Sequence, residues 1–337
     1  MGRGDCSLSF LPEISVCDGM DWCSPLSWIQ AFRFVEQQKP EAVVMQWWTS
    51  SVAHMQLFLA IANRLRTGAK LILEMHETVD TLEESVLPAR LYSRAMGKLL
   101  ISKADGLVVH SNAVKRRIAQ VFRIKEREIA VIPHGPYDVY YKRIDKQTAR
   151  KDLAIKESFT ILCFGMIRRY KGFRYAVEAF NRLPPEVALC SRLIIAGEYW
   201  GDDASLVDTI DSSSYKGQIT YRAGFVPDSM IPQYFSAADV VLLPYLRTAG
   251  SGVANIAMAY GTAIITSDLQ TMREGLTGYE GAIFVPVADP RAIADRLAEL
   301  HAHQKSGVSL PYGTPESTWD EIALRYARTV DRVGRRY

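Results

Sequence analysis

The strongest constraint on this chain is an alternation that runs through it twice: brief apolar runs separated by amphipathic stretches of helical period. Ala42–Gln46, Lys70–Met75, Gly106–His110 and Ile129–Pro133 read as strands, with helices over Ser51–Arg66, Leu87–Ser102 and Asn112–Phe122 between them. The runs are short, β-branched and unalternating, as in parallel strands buried on both faces. The pattern breaks at Gly135-Pro136-Tyr137, which is turn chemistry, and Tyr140–Lys156 is polar without a strand signal. It then restarts with strands at Thr160–Gly165, Arg192–Ala196, Ile219–Ala223, Asp239–Pro244 and Ala263–Thr266. Gly172–Arg182, Ile231–Ala237 and Val253–Tyr260 read as the intervening helices, and Asp289–His303 and Thr318–Val333 as closing ones. Two such blocks predict an α/β protein of two doubly wound, Rossmann-like domains facing a cleft. The expected bounds are 1–140 and 141–317, with 318–337 as a final helix. Ligands in such sheets sit at the carboxyl ends of the strands, so the loops that follow the strands carry the chemistry.

Composition narrows the class. At 337 residues, 48% of them apolar, the chain is long enough for two cores. No apolar run reaches the ~20 residues needed to span a bilayer. The start, with Asp5, Cys6 and Glu13, lacks the basic-then-apolar order of a signal peptide. A soluble cytoplasmic chain is expected, with Cys163 and Cys190 as buried free thiols. Cys17 and Cys23 have neither redox spacing nor companion histidines at zinc spacing, and no HExxH exists, so no metal is expected. The net charge of +3 is too small to imply nucleic acid. Lys115-Arg116-Arg117 and Arg123–Arg127 read first as a solvated helix face and turn, with membrane or acidic-ligand contact as the second reading.

Three segments carry candidate chemistry. In Phe164-Gly165-Met166-Ile167-Arg168-Arg169-Tyr170-Lys171-Gly172 a strand ends, a glycine opens the turn and cations precede a helix. A forked Arg and a point-charge Lys suit a diphosphate, although a solvated turn explains them equally. In Pro244–Gly261, small residues Thr248–Gly252 lead into a helix whose free N–H groups form an anion site; a tight turn is the competing reading. His76, His110 and His134 stand at strand ends, where packing roles are commoner than catalytic ones.

Together these segments resemble the retaining GT-B glycosyltransferases of family 4, the group 1 glycosyl transferases. The likeness runs from about Pro40 to the C-terminus and is most specific over Ile161–Glu274. Ile194–Gly197 resembles the family's central strand, Phe225-Val226-Pro227 its base-binding turn, and Ser251-Gly252-Val253 with Ala257–Thr262 its phosphate loop and helix. The resemblance implies that Gly165, Arg168 and Lys171 hold the donor diphosphate with Ser251, Gly252, Val253 and Asn255, and that the backbone at Phe225 and Val226 meets the base. It implies His76 beside the transferred sugar and the 318–337 helix crossing back to the first domain. The implied donor is a UDP- or GDP-sugar, with no cofactor and no metal, and the acceptor a glycan, a lipid-linked or a small molecule. Peripheral contact with the inner membrane surface is among the expected associations.

The sequence departs from that family in three ways. The paired glutamates fall on Thr248 and Ile256, so Thr248 or Asn255 is left to replace their contacts and Thr248 joins His76 as a catalytic candidate. The Arg that usually follows Gly165 is Met166, which makes Arg168 its substitute. The opening strand and Gly-rich loop have no counterpart in Met1–Ser24, so the first domain is expected to be short of its first strand. These departures favour one alternative, a non-catalytic subunit of the same fold that binds a nucleotide or a partner enzyme. A second alternative is an NAD(P)-dependent oxidoreductase, since Gly250–Asn255 approximates GxGxxG with Asp268 ending the next strand.

Overall fold

A computed structural model of the chain describes residues 13–76, 86–135, 137, 142–201, 203–305, 312 and 318–334. Cys6 and the rest of the first twelve residues lie outside the described residues, as do Glu77 and Pro136. The chain divides into two compact units: Met1–Val108 with Ile118–Ala130 and Arg328–Tyr337, and Val109–Arg117 with Val131–Ala327.

The first unit is built on a parallel sheet in the order β1 (Ala42–Trp47), β2 (Lys70–Met75), β3 (Gly106–Val109), β4 (Ile129–Val131). Helices α1 (Pro25–Gln38), α2 (Ala53–Arg66), α3 (Leu87–Lys103) and α4 (Asn112–Phe122) precede or connect these strands. Register places Gln46 beside Glu74 and Trp47 beside Met75. β1 is an edge strand and only its Met45 and Trp47 are buried, whereas Leu71–Met75 of β2 are buried throughout. Because the strand order follows the chain order, right-handed crossovers put α2 and α3 on one face of the sheet. On β3, Gly106 packs against Ile72 and Val333, and a Cβ there would come within 3.0 Å of both.

Helix α1 lies where the sequence reads as irregular. Pro25 occupies its first turn, where no donor is lost, and Lys39 ends it in the left-handed region with φ of 47°. Its buried side chains, Ser27 and Ala31, are too small to register as an apolar stripe.

The second unit holds a six-stranded parallel sheet in the order β10 (Ala282–Val285), β9 (Ala263–Ser267), β8 (Val240–Leu243), β5 (Phe159–Phe164), β6 (Ser191–Gly197), β7 (Ile219–Ala223). The order turns between β5 and β8, the switch point at which such sheets open a crevice. Every residue of β5, β8 and β9 is buried, as unalternating runs require. Helices α5 (Lys146–Asp152), α6 (Phe173–Phe180), α7 (Pro185–Ala188), α8 (Ala204–Asp211), α9 (Ile231–Ala237), α10 (Gly252–Ala259), α11 (Gln270–Gly275), α12 (Pro290–Lys305) and α13 (Trp319–Gly334) complete the described elements. Phe159, Phe173, Phe180 and Phe235 are fully buried between sheet and helices, each worth roughly 1.5–3 kcal/mol of transfer free energy.

Helix α5 lies within Tyr140–Lys156, which the sequence shows only as polar and without a strand signal. It has no apolar stripe, and is held by charge instead. Asp145 caps it by accepting from Thr148 N (2.9 Å), while Lys146 (2.6 Å) and Arg150 pair with Asp239 at the foot of β8. Cys163 is buried as expected, but Cys190, just before β6, is only half-buried.

Candidate active site

In the second unit the loops after β5, β6 and β8 are tied to one another by backbone contacts. Gly165 N donates to Ala196 O (3.0 Å), Ile167 N to Glu198 O (2.7 Å) and Leu246 N to Tyr170 O (2.8 Å). Two glycines make this approach feasible. A Cβ on Gly172, whose φ is +67°, would lie 2.0 Å from Pro244 O; one on Gly197 would lie 2.0 Å from Gly165 O.

The loops bring together residues that lie far apart in the sequence. Lys171 is buried, and its Nζ donates to Tyr245 Oη (3.0 Å) while sitting 4.2 Å from the centre of the same ring. Tyr245 Oη is 3.2 Å from Ser251 Oγ. Ser251 in turn accepts from Ala254 N (3.2 Å) and caps α10. A fixed ammonium and the N-terminus of α10 thus converge through Tyr245, two positive features of one pole. Tyr245, fully buried, is the site residue that sequence reading misses, because a Tyr after a buried strand reads as core.

Arg168 lies on the same loop as Lys171, with an aromatic neighbour. Its guanidinium lies 5.3 Å from the ring centre of Trp200, beyond β6, while Arg247 lies 5.1 Å from that of Tyr170. Phe225 is well exposed after β7, with Val226 half-buried against the core. Thr248 shapes its own loop: its hydroxyl donates to Gly250 O and accepts from Gly250 N (3.1 Å), and its carbonyl accepts from Thr271 Oγ1 (2.8 Å). Ile256 is buried, so its apolar side chain belongs to the core.

A cavity of about 870 Å³ opens beside α10, lined by Gly250, Ser251 and Asn255, by Thr271, Met272 and Glu274–Gly278 around α11, and by His110, Asn112 and His134. All of these residues belong to the second unit. His110 and His134 stack with ring centres 4.0 Å apart, and His110 Nδ1 donates to Ile132 O (2.9 Å), which fixes its tautomer when neutral. Glu274 at the cavity wall caps α4: its carboxylate accepts from Asn112 N and Ala113 N (3.2 Å) and pairs with Arg116 (3.3 Å). Ser251 and Asn255 therefore face the cavity, whereas Arg168 and Lys171 do not line it.

His76 belongs to the first unit and is nearly enclosed there. Its Nε2 faces Glu74 Oε1 (3.0 Å) and Gln46 Oε1 (2.5 Å), and Gln46 Nε2 donates to Glu74 Oε2 (3.2 Å). Two acceptors at Nε2 require a proton there. The indole of Trp48 stacks on the imidazole at 3.9 Å and 8°. Glu74, Gln46 and Trp48 thus fix both the tautomer and the plane of His76, a set made by the β1–β2 register and invisible to sequence spacing.

Family models match both halves of the chain. Residues 158–303 match "Glycosyl transferases group 1" and residues 15–135 match "Glycosyl transferase 4-like domain". The chain belongs to the group 1 glycosyl transferases. A D-inositol 3-phosphate glycosyltransferase of Nocardia farcinica is 27% identical over 199 residues, covering 55% of this chain and 44% of that protein. One of Segniliparus rotundus is 25% identical, covering 87% and 63%. The chain spans about half the length of the curated relatives it matches first. Among solved structures, sucrose-phosphate synthase of Thermosynechococcus elongatus superposes with a TM-score of 0.73 at 18% identity, covering 92% of this chain and 78% of that one. Anabaena Alr3699/HepE in complex with UDP gives 0.66 at 15%, covering 91% and 79%. Two parallel α/β sheets of the GT-B type are the fold of this family member.

Proposed function

We propose that this protein transfers a sugar from a nucleotide-diphosphate sugar, with retention at the anomeric carbon and without a metal ion. The observation that carries the reading is the Lys171–Tyr245–Ser251 chain, which fixes a cation at the pole where the N-terminus of α10 points. Such an arrangement suits a diphosphate, and above all the charge that grows on it as the sugar departs. HepE, a solved neighbour of this fold, binds UDP and UDP-glucose, which favours a uridine donor over a guanosine one.

In this reading Lys171 and the amides at Gly252 and Val253 hold the diphosphate, Arg168 adds a forked contact, and the backbone at Phe225 and Val226 meets the base. Asn255, on the cavity wall, is placed to meet the sugar or ribose. His76 is the residue of the first unit assigned to the transferred sugar. Thr248 acts through the loop it closes. The acceptor is a glycan, a lipid-linked or a small hydroxyl compound.

Burial of Ile256 where the family carries a carboxylate favours a second reading, a subunit that binds the nucleotide without turnover. Hydride transfer has less support: Gly250–Asn255 is separated from β8 by Pro244–Ala249, whereas a dinucleotide fingerprint follows its strand directly.

Calorimetric titration with UDP and GDP, repeated on Arg168→Ala with Lys171→Ala, tests the donor site. Micromolar binding of one nucleotide, lost in the double variant, is expected; no binding of either overturns the donor reading. Release of UDP from UDP-sugar by the purified chain, unchanged by EDTA, separates the enzyme from the inert subunit and checks metal independence.

A further inference from the structure

Four of the chain's six tryptophans fall between Trp22 and Trp48, in the first unit. Trp47 is buried, but Trp22 is 53% and Trp48 58% exposed, although tryptophan is a highly buried residue on average. Trp22 before α1, Trp28 of α1 and Phe58 of α2 form a row around His54 of α2. The ring centres of Trp22 and Trp28 lie 6.4 and 5.4 Å from that of His54, and Phe58 lies 5.9 Å from Trp28. Tyr92 of α3, also exposed, joins the row through its hydroxyl, 3.2 Å from His54 Nδ1. A single exposed ring is ordinary surface; a contiguous group marks an interaction site.

Polar edges hold these rings in place. Trp28 Nε1 donates to Asp21 O (2.7 Å), and His54 Nε2 faces Trp22 O (3.1 Å). A carbonyl only accepts, so Nε2 carries the proton, and neutral His54 then accepts from Tyr92 Oη at Nδ1. The Tyr92 oxygen keeps its acceptor lone pairs. Asp21 Oδ1 accepts from Cys23 N (2.8 Å), and Oδ2 has no partner among the described residues. Fixed apolar faces thus stand beside two hydrogen-bond acceptors. Trp48 repeats the device at the end of β1, with one face held on His76. At about 1.5–2 Å per residue, the turn and helix start from Trp48 to His54 span roughly 10 Å.

We propose that this row of rings binds a neutral carbohydrate chain. A sugar ring is apolar on its C–H faces and carries O–H donors at its rim. The faces pack flat on indole and phenol rings, and the hydroxyls donate to Asp21 and Tyr92. Charge excludes the other ligands that aromatic rings attract. Residues 13–24 hold three acids, Glu13, Asp18 and Asp21, and no Lys or Arg. Single-stranded nucleic acid and anionic lipid both call for cations there. Arg90 and Arg94 stand two residues from Tyr92 on α3 and do not share its face. Nor is any helix of the described residues long and apolar enough to cross a membrane. The reach from Trp22 to Trp48 suits several linked sugars rather than one. Binding stands by itself; that the bound chain is the acceptor of the proposed transfer rests on the transfer reading.

Native electrophoresis of the full chain through gels containing amylopectin, mixed-linkage β-glucan, mannan or galactan tests it. Retardation by at least one of these neutral polysaccharides is expected, with little dependence on salt. Trp22→Ala with Tyr92→Ala is expected to weaken the association roughly tenfold or more. Tyr92→Phe, which keeps the ring, should weaken it several-fold. These positions are exposed, and a melting curve like that of the parent chain verifies the fold of each variant. UDP titration of the double variant should match the parent, which separates this surface from the donor site. No retardation by any of the four overturns the proposal, whatever the affinity for UDP. Retardation undiminished in the double variant overturns it too, as does retardation abolished by salt, which assigns the surface to a charged polymer. Retardation without UDP binding leaves the carbohydrate surface in place and overturns the donor reading alone.

Discussion

Lys171 is a buried cation that donates to a phenol and lies against two aromatic faces. Burying an ammonium costs free energy that a bound anion offsets. Lys171→Ala is therefore expected to weaken nucleotide binding at least tenfold while changing stability little, as titration and denaturant unfolding of the same sample would show. Tyr245→Phe removes only the hydroxyl that joins Lys171 to Ser251, and is expected to cost about 1 kcal/mol of stability with several-fold weaker binding. Unchanged nucleotide affinity in both variants would remove Lys171 from the donor site. His76 poses the complementary case. Glu74→Ala removes the carboxylate that accepts at its Nε2, so kcat is expected to fall roughly ten- to hundredfold, with donor KM unchanged. Glu74→Gln, which keeps an acceptor, is expected to recover most of that loss. Equal losses in the two variants, accompanied by equal destabilisation, would mean that Glu74 supports the strand rather than the histidine.

Elements differ in how openly the sequence announces them. The strands of the second unit are legible because β5, β8 and β9 are buried on both faces and are apolar but for the small residues Thr160, Thr266 and Ser267. Lys171, Ser251 and Asn255 are legible by their place after strands. Tyr245 and the Glu74–Gln46–Trp48 setting of His76 are not, since they depend on which strands adjoin. Helix α5 is hidden for another reason: its stability comes from ion pairs to Asp239, 89 residues from Arg150, and from a cap. A similar long-range pair joins the starts of β5 and β6, where Glu157 meets Arg192. Burial by itself would raise the Glu157 carboxyl, but the Arg192 guanidinium and nearby amides outweigh it and hold the group below its ordinary 4.5. A depressed acid stabilises the fold above the unfolded value and loses that contribution as pH falls through the folded one. Glu157→Gln is thus expected to cost about 1 kcal/mol or less at neutral pH, solvent screening included. The deficit should shrink below about pH 4.5, read from urea midpoints across the acid range. A deficit independent of pH would assign the effect to packing.

At the scale of the whole molecule, the two units differ in physical character. The second unit has a continuous core and the convergent loops of the donor reading; the first has a four-stranded sheet with an exposed edge at β1 and a row of exposed rings beside its helices. A ligand that binds only the folded donor site must stabilise the unit that contains it, by RT ln(1 + [L]/Kd). With UDP at about a hundredfold above Kd this amounts to about 2.7 kcal/mol. For a unit of this size that corresponds to a rise in Tm of roughly 5 to 10 °C. Differential scanning calorimetry on the full chain, with and without UDP, checks this. UDP should raise the transition of the second unit, and the tenfold or greater loss of affinity in Lys171→Ala should cut that rise by about half or more at the same UDP concentration. A UDP-linked rise undiminished in Lys171→Ala would place the nucleotide elsewhere. The cavity lined by His110, His134 and Asn255 would then be the first place to seek it.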